Sequence, residues 1–112
     1  DYGRLHGFEV DRDYNRAVIR PEFVRVTKKE QELYPHASKK GIVEDVLFRG
    51  NMLELRLNVD GVKLVTYRSL EDTSLTVGEE VSVLVYRLYL YNDRQVRLVE
   101  NAAFQEKDGF TI

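Results

Sequence analysis

From Met52 to Asp60 apolar and polar residues alternate without a break, Leu53, Leu55, Leu57 and Val59 set against Glu54, Arg56, Asn58 and Asp60. A period of two places each set on its own face of a strand. Wound as a helix, the same residues would set Leu55 nearly opposite Leu53 and Leu57 and scatter Glu54 and Arg56 around the apolar stripe. The segment therefore reads as a strand with one buried face. Asp60-Gly61 follows, a pair that tolerates positive φ at both central positions of a type I′ turn, so Val62 to Tyr67 is expected to return antiparallel. Upstream, Ile42 to Phe48 is another strand, joined to Met52 by the turn formers Arg49-Gly50-Asn51. Gly41 to Arg68 is thus a meander of three strands, the natural centre of a small antiparallel barrel.

The rest of the chain arranges itself around that meander. Asp1 to His6 is polar and without periodicity, and reads as a leader. Phe8 and Val10 alternate with Glu9 and Asp11, and Asp11-Arg12-Asp13 offers a turn before Tyr14 to Arg20, which predicts a first hairpin. Pro21 lacks an amide donor and pushes Arg20 toward extended geometry, so Val18 to Val26 should be a bent strand at a rim. Thr27 to Lys40 is charged, contains Pro35 and reads as a loop, with one helical turn allowed over Lys29 to Leu33. Beyond the meander, Ser69 to Gly78 is a surface crossing. Val81, Val83 and Val85 enter the core, Leu88 to Tyr91 continues, Asn92-Asp93 turns, and Gln95 to Val99 closes the set of strands. Ala102 to Ile112 is a docked or frayed tail.

Composition removes several function classes. At 112 residues the chain suits one domain with its own core. It contains no cysteine, which excludes disulfide scaffolds, thiolate zinc sites and cysteine nucleophiles, and makes a reducing cytoplasm the default. Its 17 basic and 19 acidic residues are interspersed, so no polybasic run advertises nucleic acid or anionic lipid. No apolar run approaches the roughly 20 residues that span a bilayer, and no apolar segment near Asp1 resembles a signal peptide, so membrane association should go through a partner. A start at Asp1 without an initiator methionine suggests a piece of a longer protein.

No catalytic constellation emerges. A Gly-x-x-x-x-Gly-Lys-Ser/Thr phosphate loop is missing, and Lys40-Gly41 is a loop-to-strand junction. The acidic pairs Glu44-Asp45, Glu71-Asp72 and Glu79-Glu80 point to opposite faces in strands or to solvent in turns. His6 and His36 have no second ligand at metal spacing and read as surface residues. No hydroxyl has a base placed beside it for nucleophilic work.

Several segments carry a family resemblance. Ala17-Val18-Ile19-Arg20-Pro21-Glu22-Phe23-Val24-Arg25-Val26 resembles the Ile-Arg-Pro-Glu strand that follows the nucleotide-binding domain in ATP-binding subunits of bacterial ABC importers. Gly41 to Gly50 resembles the opening of the TOBE (transport-associated OB) domain of those subunits, and Val77-Gly78-Glu79-Glu80-Val81 its later turn and strand. The resemblance spans Val18 to Glu100 and loosens over Tyr86 to Asn92. It implies an all-β, OB-like antiparallel barrel of the TOBE type, extended by N-terminal strands: one C-terminal regulatory domain, with strands over 1–26, a loop over 27–40, the barrel over 41–100 and a tail over 101–112. It further implies a non-catalytic regulatory and dimerisation role in an ABC importer ATPase, cytoplasmic and peripheral to the inner membrane.

The resemblance also implies the partners. ATP and magnesium belong to a domain upstream, and no cofactor or metal is expected in this one. The parent should form a homodimer and engage the transporter's membrane subunits, without nucleic acid and without membrane insertion. Arg20, Pro21 and Glu22 take a structural role, positioning a rim loop. Phe48, Tyr67, Tyr86, Tyr89 and Tyr91 are the candidate interface, because exposed rings are enriched at interface cores and a barrel this small cannot enclose them all. Since OB barrels also stack bases on exposed rings, a stand-alone nucleic-acid-binding module is the alternative, and a small oxyanion-binding domain a further one.

Overall fold

The computed structural model describes residues 2–104, and its architecture grows from the alternating segment. Leu55, Leu57 and Val59 are almost completely buried while Arg56 and Asp60 face solvent. This strand, β4 (Met52–Val59), pairs antiparallel on one side with β3 (Lys39–Phe48) and on the other with β5 (Val62–Ser69). The turn between β4 and β5 takes φ of +51° at Asp60 and +85° at Gly61, as the Asp-Gly pair predicts.

Strand β3 is long enough to serve two neighbours. Residues Lys39 to Ile42 pair with β6 (Glu80–Val85), and Ile42 to Phe48 pair with β4, with the register shifting between Val43 and Asp45. A bulge of this kind bends the strand and increases its twist. Beyond β6 lies β2 (Val24–Lys28), giving a five-stranded sheet in the order β2-β6-β3-β4-β5. The sheet curls until its two edges approach each other. Thr66 Oγ1 of β5 donates to the Val24 carbonyl of β2 at 2.7 Å, and Arg68 Nη1 donates to the Val26 carbonyl at 2.8 Å. Side chains, rather than a backbone ladder, thus bridge the seam of an OB-like half-barrel.

The remaining strands, β1 (Arg16–Val18), β7 (Arg87–Tyr91) and β8 (Val96–Glu100), form a second antiparallel sheet in the order β1-β7-β8. Its inner face presents Leu88 and Leu90 to the common core, which also holds Val43, Val81, Val83 and Leu64. The two sheets exchange strands at two places. One is Tyr86, between β6 and β7. The other is Pro21–Phe23, a 3-10 turn between β1 and β2.

Four expectations need correction. The polar leader is not a leader where it is described, because Tyr2 and Leu5 are buried in the core and the Tyr2 hydroxyl accepts the Asp11 amide at 2.7 Å. The first hairpin is not formed. Its turn exists, with the Tyr14 amide donating to the Asp11 carbonyl at 3.0 Å, but Phe8 to Val10 makes no strand and β1 pairs with β7 instead. Pairing with β7 places Ala17 beside Leu90 on the core face, a burial that a hairpin with Phe8 to Val10 would not supply. The bent strand from Val18 to Val26 is two edge strands of different sheets, broken where proline removes a ladder donor. Finally, β6, expected to enter the core through Val81, Val83 and Val85, is buried on both faces, with Ser82 on the other face donating to Glu32 Oε1.

The start of the tail docks. Asn101 is fully buried, its side-chain amide donating to the carbonyls of Val85 at 2.8 Å and His6 at 3.1 Å while its Oδ1 accepts the Phe104 amide. Gly7 stands against it with φ of +93°, where any Cβ would overlap the Asn101 carboxamide. The rest of the tail reading lies outside the described residues. No helix among the described residues is long and apolar enough to cross a membrane.

Candidate interaction surface

The five candidate aromatics do not form one patch. Tyr67 lies on the outer face of β5, opposite Glu54 of β4, and is 49% exposed. Tyr86, at the sheet exchange, lines with it a groove of about 600 Å³ along the seam between β2 and β5. Tyr86 also packs edge-on against Phe104, with ring centroids 5.3 Å apart. Phe48 is separate, at the far end of β3 before the turn to β4, and 69% exposed.

Tyr89 and Tyr91 are brought together on the outer face of the three-stranded sheet. The register sets Arg16, Tyr91 and Val96 in one row across β1, β7 and β8, and Val18, Tyr89 and Leu98 in the next. Val18, Leu98 and Val96 are 45%, 48% and 70% exposed, so this face carries an apolar strip with no covering layer among the described residues. Charges close its ends. Arg16 sits 4.8 Å above the Tyr91 ring and 2.9 Å from Asp93, while Arg87 and Glu100 stand 3.1 Å apart as an ion pair. The contribution of Val18, Val96 and Leu98 escapes a sequence reading, because alternation marks a strand without telling which face is covered.

The Arg20-Pro21-Glu22 turn links the two sheets beside this strip. Phe23, at its end, packs 5.7 Å from Tyr89, and its carbonyl accepts the Tyr86 amide at 2.8 Å. Arg20 Nε donates to Glu22 Oε2 at 2.7 Å across the proline. The Glu22 carboxyl lies below its ordinary range because its own backbone amide and then Arg20 donate to it, and Arg20 is correspondingly raised.

The seam groove offers less to an anion than its residue types suggest. The Arg68 guanidinium is spent on main-chain carbonyls, those of Val26 and, at 2.8 and 3.0 Å, Thr73, and Asp72 shares the lining. Elsewhere four glutamates are paired with cations. Glu44 is held low by Lys63 and Asn58, Glu54 by Arg49 and Arg56, Glu79 by the Thr76 amide and Lys28, and Glu80 by Lys29 and Lys40. Among the described residues no group of three or more His, Asp or Glu side chains could hold a metal ion, and His6 Nε2 lies 2.7 Å from the His36 carbonyl. The arrangement can dock a surface.

Residues 17–87 match the TOBE domain family. The chain belongs to it. Comparison with curated proteins returns no match. The TOBE match runs from the middle of β1 to the first residue of β7 and includes the whole five-stranded half-barrel together with the Arg20-Pro21-Glu22 turn. It stops short of Glu100, the end expected from the sequence. Phe48, Tyr67 and Tyr86 therefore lie inside the TOBE stretch, whereas Tyr89, Tyr91 and all of β8 lie beyond it. TOBE domains are associated with regulation of ABC transporter ATPases and are not themselves catalytic.

Proposed function

We propose that this chain is the C-terminal regulatory and dimerisation domain of the ATP-binding subunit of an ABC importer. The observation that carries the reading is the TOBE match across the half-barrel, preceded by the Arg20-Pro21-Glu22 turn that joins it to a second sheet. In this reading the nucleotide, magnesium and hydrolysis reside in an upstream ATPase domain. The present domain contributes contact surface to a homodimer and works peripherally at the cytoplasmic membrane through the transporter's membrane subunits. Arg20 and Glu22 brace the turn by their ion pair, Pro21 keeps it rigid, and the turn sets Phe23 against Tyr89 at the apolar strip. Phe48, Tyr67, Tyr86, Tyr89 and Tyr91 supply rings for contact with the other subunit or with neighbouring domains.

Nucleic acid is not a partner in this reading. Stacking proteins for single strands join their rings to a basic groove, and of the two arginines that line the groove with Tyr67 and Tyr86, Arg25 and Arg68, the second is engaged by carbonyls while Asp72 shares the lining.

Two linked measurements test the proposal. The coding sequence upstream of Asp1 is expected to specify a phosphate-loop ATPase domain, and calorimetric titration of the 112-residue chain with Mg-ATP is expected to show no specific heat. An upstream region with no such domain, or micromolar ATP binding with turnover by this chain alone, would overturn the assignment.

A further inference from the structure

The seam between β2 and β5 is bridged by the side chains of Thr66 and Arg68 rather than by a ladder, and a groove of about 600 Å³ runs along it. Arg25, Thr27, Gln31, Tyr67, Arg68 and Tyr86 line its walls. Arg25 is exposed and, among the described residues, forms no ion pair. Arg68 gives its donors to the carbonyls of Val26 and Thr73, which orient the guanidinium without cancelling its charge. Against these two cations the described lining sets a single carboxylate, Asp72, so the groove carries a positive excess.

The chain comes back to this groove at its last described residue. Phe104 packs edge-on against Tyr34 at 5.1 Å and against Tyr86 at 5.3 Å, so the sequence beyond it departs from a ring that lines the groove. Buried Asn101, which accepts the Phe104 amide, fixes that point of departure. Eight residues follow, Gln105 to Ile112. Extended, they reach about 26 Å, whereas the five residues of β2 span only about 17 Å. Extended backbone also sets Glu106, Asp108, Phe110 and Ile112 on one face. That face brings two carboxylates first and two apolar side chains after them, and Lys107 points the other way.

We propose that residues 105–112 of this same chain occupy the seam groove, with Glu106 and Asp108 against Arg25 and Phe110 beside the Tyr67 ring. Point of departure, reach and charge all select this occupant. The apolar strip of the small sheet fits the segment less well, because its arginines are already matched, Arg16 with Asp93 and Arg87 with Glu100, and leave nothing for Glu106 and Asp108. The inference goes beyond the proposed function and does not depend on it. A seated tail covers Tyr67 and Tyr86, two of the rings offered for contact, from within the chain, and its release uncovers them.

The chain has no tryptophan, so Phe110→Trp sets a single indole in the tail of the full chain. Its emission should be shifted to the blue and shielded from acrylamide. Both should survive a roughly hundredfold dilution, because an intramolecular contact does not depend on concentration. Adding Arg25→Glu turns the attraction into repulsion and should lower the ratio of docked to undocked tail about threefold or more. Since Arg25 is exposed, the circular dichroism spectrum should be kept. Glu106→Lys with Asp108→Lys should release the indole in the same way from the tail side, and joining both reversals should restore the shielding. An indole as open to acrylamide as free tryptophan, or shielding indifferent to both reversals, would overturn docking in the seam. Shielding lost on dilution would assign the contact to a second copy and overturn it equally. None of these outcomes touches the ATPase assignment, which stands or falls on the upstream coding sequence.

Discussion

Glu79 shows how much of this molecule depends on single polar residues near the ends of strands. Its carboxylate accepts the Thr76 amide at 3.1 Å and Lys28 Nζ at 3.1 Å, closing the turn that feeds β6. Those donors hold its pKa below the ordinary 4.5, the Thr76 amide contributing most and Lys28 next. A group lowered by folding contributes stability that is complete above its unfolded value and is lost as pH falls through its folded value. Glu22, Glu44, Glu54 and Glu80 are lowered in the same direction. Urea unfolding should therefore give constant stability above about pH 5.5 and a decline as the pH falls through 4.5 and below. In Glu79→Gln the decline should be shallower. Stability that rises on acidification would contradict these pairings. Such residues were only partly legible. Glu79 could be read as part of a turn, but Asn101 gives no local signal, because its partners His6 and Val85 lie 95 and 16 residues away in sequence.

At the scale of the element, legibility follows the locality of the partner. The meander β3-β4-β5 is visible in the sequence because alternation sets its faces and Asp60-Gly61 sets its register, all within neighbouring residues. β1 is not, because the strand that pairs with it lies more than 70 residues later and nothing near Phe8 or Val10 announces that choice. The candidate surface divides the same way: rings could be counted, but their separation into a seam, a strand end and an outer sheet face depends on how the sheets meet. The facing of β4 gives a sharp test. Leu55 is fully buried and should not tolerate Leu55→Asp, which would place an unpaired carboxylate in the core and abolish cooperative folding, whereas Leu55→Ala should cost about 2–5 kcal/mol. Arg56→Asp, on the exposed face beside Glu54, should cost no more than about 1 kcal/mol. Equal thermal stability of Leu55→Asp and Arg56→Asp would mean that the strand faces the other way.

For the whole molecule, a curled sheet sealed by side chains is joined to a smaller sheet that leaves an apolar face uncovered among the described residues. The half-barrel lies wholly within the TOBE match; the small sheet, most of it beyond that match, shares the core through Leu88 and Leu90 and carries the exposed apolar strip. In the proposed function this domain works by association, with the chemistry left to an upstream ATPase domain. An excised dimerisation domain keeps its share of contact but loses whatever avidity the ATPase domains add, so its own dimer should be weak, with a dissociation constant at micromolar or above. Sedimentation velocity of the 112-residue chain over a roughly hundredfold concentration range tests this most directly. The weight-average sedimentation coefficient is expected to climb with concentration from the monomer value toward that of a dimer; a strictly monomeric profile at several hundred micromolar would rule out dimerisation as a property of this domain.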